Sequence, residues 1–280
     1  MDSQRRKSEL VLAGTPSRKL WRSLRELWDY RDTIAAFAER DIRVKYKQAV
    51  LGIAWAVIQP MAFMAIFTLT LGHLANVPTG EVPYAAFSLS ALVVWTFVSN
   101  SVSFGANALL ADAAMIRRVY FPREVPVLGS VGSALVDLAI GLTPFFLLAP
   151  FLGAHVTAWW LLAPFLIPFL VLVALSVAIP LAGLNVYYRD FRFALPFGVQ
   201  LWLFASPVAY PLASVPEKWK TLYLVVNPAA GIIDSYTRVL AYGVAPNPAY
   251  LAFSLLGSLV IGAFGYLLFK RLEPTFADVI

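Results

Sequence analysis

Cysteine is absent from this 280-residue chain, and histidine occurs only twice, at His73 and His155. The first absence excludes disulfides, thiolate metal sites and cysteine nucleophiles, and leaves the compartment open. The two histidines stand far apart, near the outer ends of apolar segments, so each reads as a surface or interfacial residue and no metal site is expected. No Gly-x-x-x-x-Gly-Lys-Ser/Thr occurs, nor any Gly-Lys dipeptide, so the chain carries no phosphate-binding loop for ATP. Gly-x-Ser-x-Gly and His-Glu-x-x-His are missing too. No acidic pair sits on a loop in the metal-ligand pattern that glycosyl transfer would need, and an enzyme is not expected.

Charge is the other scarcity. Only 14% of residues are charged against 60% hydrophobic, and the mean hydropathy of +0.72 exceeds that of soluble domains, whose apolar share is nearer half. Residues 48–80, 82–111, 138–188, 193–216 and 239–269 hold no Asp, Glu, Lys or Arg. About 20 apolar residues cross a bilayer core as a helix, and backbone in lipid must satisfy its own polar groups. The expected fold is therefore an all-α integral membrane protein with six spans, at about 50–72, 84–107, 126–149, 159–184, 193–213 and 249–269. The run 138–188 must serve two of them, turning near Gly153-Ala154-His155.

Lys/Arg asymmetry orients such a chain. The first 47 residues carry twelve, the loop at 108–125 three, the loop at 185–192 two and the tail two, whereas the opposite side holds only Lys218, Lys220 and Arg238. Six spans with both termini in the cytoplasm fit this count. No signal peptide is expected, because the first apolar run follows twelve basic residues.

Residues 1–16 read as a disordered N-terminus. Residues 17–47 read as an amphipathic interfacial helix, with Leu20, Leu24, Leu27 and Trp28 at helical spacing and basic residues mostly opposite. That helix serves either as a plain surface anchor or as a collar that also touches a partner. Residues 48–280 form the transmembrane domain. Its external segment, 214–248, is too long for a turn, and its apolar part is too short to span. Short re-entrant helices before the last span, gating a path or simply capping the molecule, fit that length.

Thr96, Ser99, Asn100, Ser103 and Asn107 share one face of span two, for helix–helix hydrogen bonding or for a hydrated path. Trp55, Gln59, Phe63 and Phe67 form an aromatic face on span one, for packing or for stacking on sugar rings. Asp137 is the one carboxylate well inside a span, with no basic partner in the spans, and is expected to hold span three in place. Arg40, Arg43, Lys45 and Lys47 either set topology or attract an anionic lipid head group, at about 1 kcal/mol per cation. Two cytoplasmic loops stand out for dense charge around aromatics: IRRVYFPRE at 116–124 and Tyr187-Tyr188-Arg189-Asp190-Phe191-Arg192. Topology needs only their charge. The rigid Tyr120-Phe121-Pro122 knuckle points to a projection that seats in a partner's groove.

Four stretches resemble one family in order. RDIRVKYKQAVLGIAWAVIQP (40–60), IRRVYFPRE, LNVYYRDFRFALPFGVQLWLFASPVAYP (184–211) and VPEKWKTLYLVVNPAAGIID (215–234) are similar to segments of the permease subunits of bacterial ABC-2-type polysaccharide exporters, the group exporting O-antigen, capsule, teichoic acid and galactan chains. The resemblance runs from about 30 to 272. It implies a homodimer of six-span chains in the bacterial plasma (inner) membrane, paired with two copies of a separate ATPase that binds the ATP and magnesium. It implies a lipid-linked polysaccharide substrate, a channel between the two chains, no cofactor in this chain and no nucleic-acid partner. On that reading Arg117, Arg118, Tyr120, Phe121, Pro122, Arg123 and Glu124 couple to the ATPase together with Leu20, Leu24 and Trp28. Residues 187–192 form a second contact or gate, and Trp55, Gln59, Phe63, Trp95 and Asn100 line the channel. A permease for a smaller lipid or drug, or a passive channel, is the alternative.

Overall fold

The computed structural model describes residues 25–47, 52–188 and 190–279, and no strand occurs among them. Residues 1–16, Leu20, Leu24 and Arg189 lie outside the described residues. Residues 25–29 are helical, and a turn at Tyr30 joins them to α1 (Arg31–Lys47). Then come α2 (Trp55–Phe67), which widens into a π-type turn over Thr68–Leu74, and α3 (Tyr84–Ala111). A single turn, α4 (Ala113–Ile116), leads to α5 (Val125–Leu148) and α6 (Ile167–Tyr187). The remainder is α7 (Phe191–Ala205), α8 (Glu217–Val226), α9 (Pro228–Thr237), α10 (Pro248–Leu272) and the short α11 (Phe276–Val279).

Helix α3 is the axis. It is buried around most of its circumference, packed by α2, α5, α6, α7 and α9. A segment with no charge over 82–111 can be enclosed on all sides without stranding an ion. The small residues along it let neighbours approach closely. Helix α6 packs on both α3 and α10, and α1 lies across α5. That crossing depends on Gly129, where an added Cβ would sit 2.6 Å from the Cβ of Phe37.

Five segments among the described residues are long and apolar enough to span: Gly52–Leu74, Tyr84–Ala111, Val125–Leu148, Ala158–Tyr187 and Pro248–Thr275. The expected fifth span, 193–213, differs: its helix is Phe191–Ala205, 15 residues. At 1.5 Å per residue that helix is about 22 Å long, short of a bilayer core of roughly 30 Å. Pro207 and Pro211 explain the end, since neither can continue the helical hydrogen-bond ladder. The chain nevertheless travels from one end of the bundle to the other. Tyr187 donates to Leu272 O at the end of α10 (3.1 Å), whereas Ala209 O accepts from Tyr84 at the start of α3 (2.7 Å).

The expected short helices before the last span are α8 and α9. Asn227 caps α9 through Ala229 N–H (3.3 Å) and also binds Trp202 Nε1 (2.9 Å) and Ala205 O (2.9 Å). Helix α9 is nearly all buried, and Tyr236 reaches Ala163 O at 3.0 Å.

Candidate functional site

One end of the bundle gathers the charge, and it is built from α1, the 112–124 turn and the end of α10. Helix α1 is tied down at three points. Arg40 grips Asp112 with both terminal nitrogens (Nη2–Oδ2 3.0 Å) and also holds Asp41 at 2.7 Å. The Asp112 hydrogen bond, chiefly, raises the Arg40 guanidinium pKa above its ordinary value, against the opposing effect of burial. Lys45 Nζ and Tyr46 Oη both donate to Asp137, and burial followed by the Asp137 contact raises the Tyr46 hydroxyl pKa. Ser130 bridges to Asp41 at 3.3 Å.

Those pairings complete one expectation and correct another. Asp137 has no basic partner in the spans and is paired from α1, by Lys45. Arg40, Arg43 and Lys45 are each engaged by carboxylates, Arg43 with Glu39 at 2.5 Å. Four carboxylates, Glu39, Asp41, Asp112 and Asp137, thus face the run Arg40, Arg43, Lys45 and Lys47, which removes most of its net attraction for an anionic head group. Lys47 is exposed.

The 116–124 stretch is split between core and surface. Phe121, 3% exposed, packs against Phe37 with centroids 5.7 Å apart and the rings tilted by 59°. Arg40 lies over the Phe37 ring (4.6 Å) and Arg123 over the Phe121 ring (5.5 Å), so each ring carries a cation. Pro122 is buried. Glu124, 1% exposed, pairs with Lys270 at 2.6 Å and accepts from Tyr266 at 2.9 Å. The knuckle read as a projection is thus inverted. Phe121, Pro122 and Glu124 anchor the turn: burying the ring removes apolar surface from water, and Lys270 and Tyr266 offset the desolvation of the Glu124 carboxylate. What projects is Tyr120, 74% exposed, with Arg117, Arg118 and Val119. Tyr120 reaches Glu26 at 3.5 Å, and that carboxylate is the main reason its hydroxyl pKa is raised. Trp28, also exposed, follows two residues later.

At the second loop, Tyr187 is bound to Leu272 O and Thr275, and its ring lies 6.2 Å from Phe276. Tyr188, Asp190 and Arg192 are exposed, and Phe191 packs on Tyr188 at 6.2 Å. Tyr187 is therefore the fixed post and its neighbours the free rim.

The expected channel residues separate in the same way. Trp55 and Gln59 are exposed on α2, and Phe63 and Asn100 are half-buried. Trp95, 4% exposed, is enclosed edge-to-face with Trp202 at 5.4 Å, which places it in the core of this chain rather than on a path. The polar stripe of α3 is used for bonding between helices at Asn107, which accepts from Asn185 at 3.1 Å, and within the helix at Thr96 and Ser99. An exposed stripe that the sequence reading missed lies on α7: Phe193, Phe197, Leu201 and Phe204. Phe204 lies 6.3 Å from Phe67, so α2 and α7 adjoin. The signal was present as an i, i+4, i+8, i+11 repeat, hidden inside a run with no polar face to set it off.

A bundle of apolar helices with a buried axis and an ion-paired collar at one end defines a multi-pass membrane protein. The chain belongs to the ABC-2 type transporter family, whose sequence model matches residues 33–241. It is similar to an O-antigen export system permease protein RfbA of Myxococcus xanthus, 26% identical over 92% of this chain and 99% of that one. A protein of the same name from Klebsiella pneumoniae is 23% identical over 89% and 95% of the two chains. The polysialic acid transport protein KpsM of Escherichia coli is 24% identical over 82% and 90%.

Proposed function

We propose that this chain is the membrane subunit of an ATP-driven exporter that moves a lipid-linked polysaccharide from the cytoplasm across the bacterial inner membrane. The observation that carries this reading is the near full-length similarity to proteins named for O-antigen export and polysialic acid transport. The charged collar faces the cytoplasm in this reading, with both termini, and the chain crosses six times. The path of the chain from Tyr187 at the collar to Ala209 at the far end supports the sixth crossing.

The subunit makes no ATP chemistry of its own. A separate ATPase, in two copies, binds ATP and magnesium and docks on the exposed rim: Trp28, Arg117, Arg118, Tyr120, Tyr188 and Arg192. Leu20, Leu24 and Arg189 join that surface by sequence position. Phe121, Pro122, Arg123 and Glu124 carry force inward, because they connect the rim to α1 and to α10. Two copies of the chain meet along α2 and α7, and the polymer slides between their aromatic, weakly polar faces. Weak repeated contacts suit a moving chain, since a tight site would stall it. The deciding experiment deletes the gene and follows lipid-linked glycan. Accumulation on the cytoplasmic side is expected, reversed by the wild-type gene. No accumulation of any glycan overturns the reading.

A further inference from the structure

At the end opposite the collar, four separate segments enclose a pocket of about 360 Å³, within the roughly 300–1,000 Å³ of small-molecule sites. Its walls are pinned. Tyr242 donates to Thr79 O (2.8 Å), His155 N–H to Ala241 O (2.9 Å), and Thr157 to Gly243 O (3.0 Å). Gly243 adopts a left-handed φ of 63°, which folds the chain back so that Ala245 O accepts from Arg238 Nε at 2.9 Å.

Into this pocket faces Asp234, from the buried helix α9. Its Oδ2 is shut from solvent and has no hydrogen-bond partner. Arg238, one turn on, binds Ala245 O and forms no ion pair with Asp234 among the described residues. A carboxylate oxygen shut from water without a donor costs free energy, even though the residue is partly exposed. The cost shows in its pKa, which burial pushes up to about 6 against the pull of Arg238 and Lys220. The buried carboxylates among the described residues are ion-paired, Asp112 with Arg40, Glu124 with Lys270 and Asp137 with Lys45, although Glu124 Oε2 is also without a partner. Asp234, partly exposed, forms no such pair among the described residues and lines the cavity.

The chemistry of the walls selects the occupant. A metal ion is poorly served, because no group of three His, Asp or Glu residues gathers among the described residues and Arg238 repels a cation. A hydroxyl-rich molecule suits these walls: Asp234 and Glu81 can accept from its hydroxyls, Arg238 can donate to its oxygens, and His155 and Tyr242 complete the lining. We propose that this outer pocket holds a saccharide unit of the exported chain as it leaves the membrane. The proposal rests on the polysaccharide-export reading and adds a defined stopping point to an otherwise diffuse path.

The test uses the full chain in its own cells, with the photoreactive residue p-benzoylphenylalanine placed at Ala213 on the pocket wall or, as a reference, at Gln59 on the path. Irradiation, followed by periodate labelling of sugars on the purified permease, reads the cell's own glycan. Adducts are expected at both positions. Asp234→Asn keeps the shape of the side chain and removes its charge. It should lower the Ala213 adduct roughly fivefold or more, the effect of losing one charge-assisted hydrogen bond. The Gln59 adduct should stay unchanged, which also shows that the variant is folded and inserted. An unchanged Ala213 adduct in Asp234→Asn overturns the pocket, as does a Gln59 adduct with none at Ala213. Absence at both positions overturns the export reading and the pocket with it.

Discussion

Phe121 and Tyr120 are neighbours in a charged turn, and they have opposite fates. The ring of Phe121 closes the contact between α1 and the turn, while Tyr120 stands in solvent beside Glu26. Phe121→Ala should therefore act on stability: removing a buried aromatic ring costs about 3–5 kcal/mol. A lower melting temperature and faster proteolysis near Arg117 and Arg118 are the expected readouts. Tyr120→Ala and Arg118→Glu should leave melting unchanged and reduce co-purification of the ATPase. A stable Phe121→Ala protein would contradict the packing described. Lys45 and Asp137 make a second residue-scale case. Either Lys45→Met or Asp137→Leu alone leaves a polar or charged group without its partner, and the loss of a buried pair by one side runs to about 3–5 kcal/mol. The double variant Lys45→Met/Asp137→Leu should recover most of that loss. A melting-temperature cycle with additive effects would show that the two do not interact.

Helix α7 carries the main difference between expectation and observation at the scale of elements. A charge-free run of 24 residues, 193–216, is long enough for a span, yet proline ends the helix at Ala205. Composition reports what tolerates lipid. It does not report where the backbone must change hydrogen-bonding pattern. The exposed stripe on α7 adjoins α2, and both are read as facing a second copy. Because the chain has no cysteine, a single introduced thiol is unambiguous. Phe197→Cys should cross-link two copies with a short thiol-to-thiol reagent. Phe264→Cys, on the exposed face of α10, should not. Equal cross-linking at both would remove α7 from the interface.

For the whole molecule, the question is which end faces which compartment, and the same thiol chemistry answers it. Arg118→Cys should react with a membrane-impermeant reagent only from the cytoplasmic side, and Ala213→Cys only from outside. Labelling of both from one side would break the six-crossing arrangement. Much of the helical fold was legible in the sequence. The charge-free runs marked the long apolar helices, and Asn227-Pro228 and Asn247-Pro248, legible as helix breaks, are in the structure the caps that begin α9 and α10, as an Asx side chain followed by proline favours. The candidate site was legible only in outline. The two charged loops were found, but Phe121 and Glu124 were read as outward-facing and Trp95 as lining a path. Those errors share a cause. Whether an aromatic ring or a carboxylate faces inward depends on a partner distant in sequence: Phe37 for Phe121, Lys270 for Glu124, Trp202 for Trp95. The sequence by itself determined the solvent each segment can bear, since transfer of charge or apolar surface between water and lipid is a property of the residues alone. Only the tertiary structure decided which charges are paired, which rings are enclosed, and which carboxylate, Asp234, was left facing a cavity, because those depend on distances between elements that no local pattern encodes.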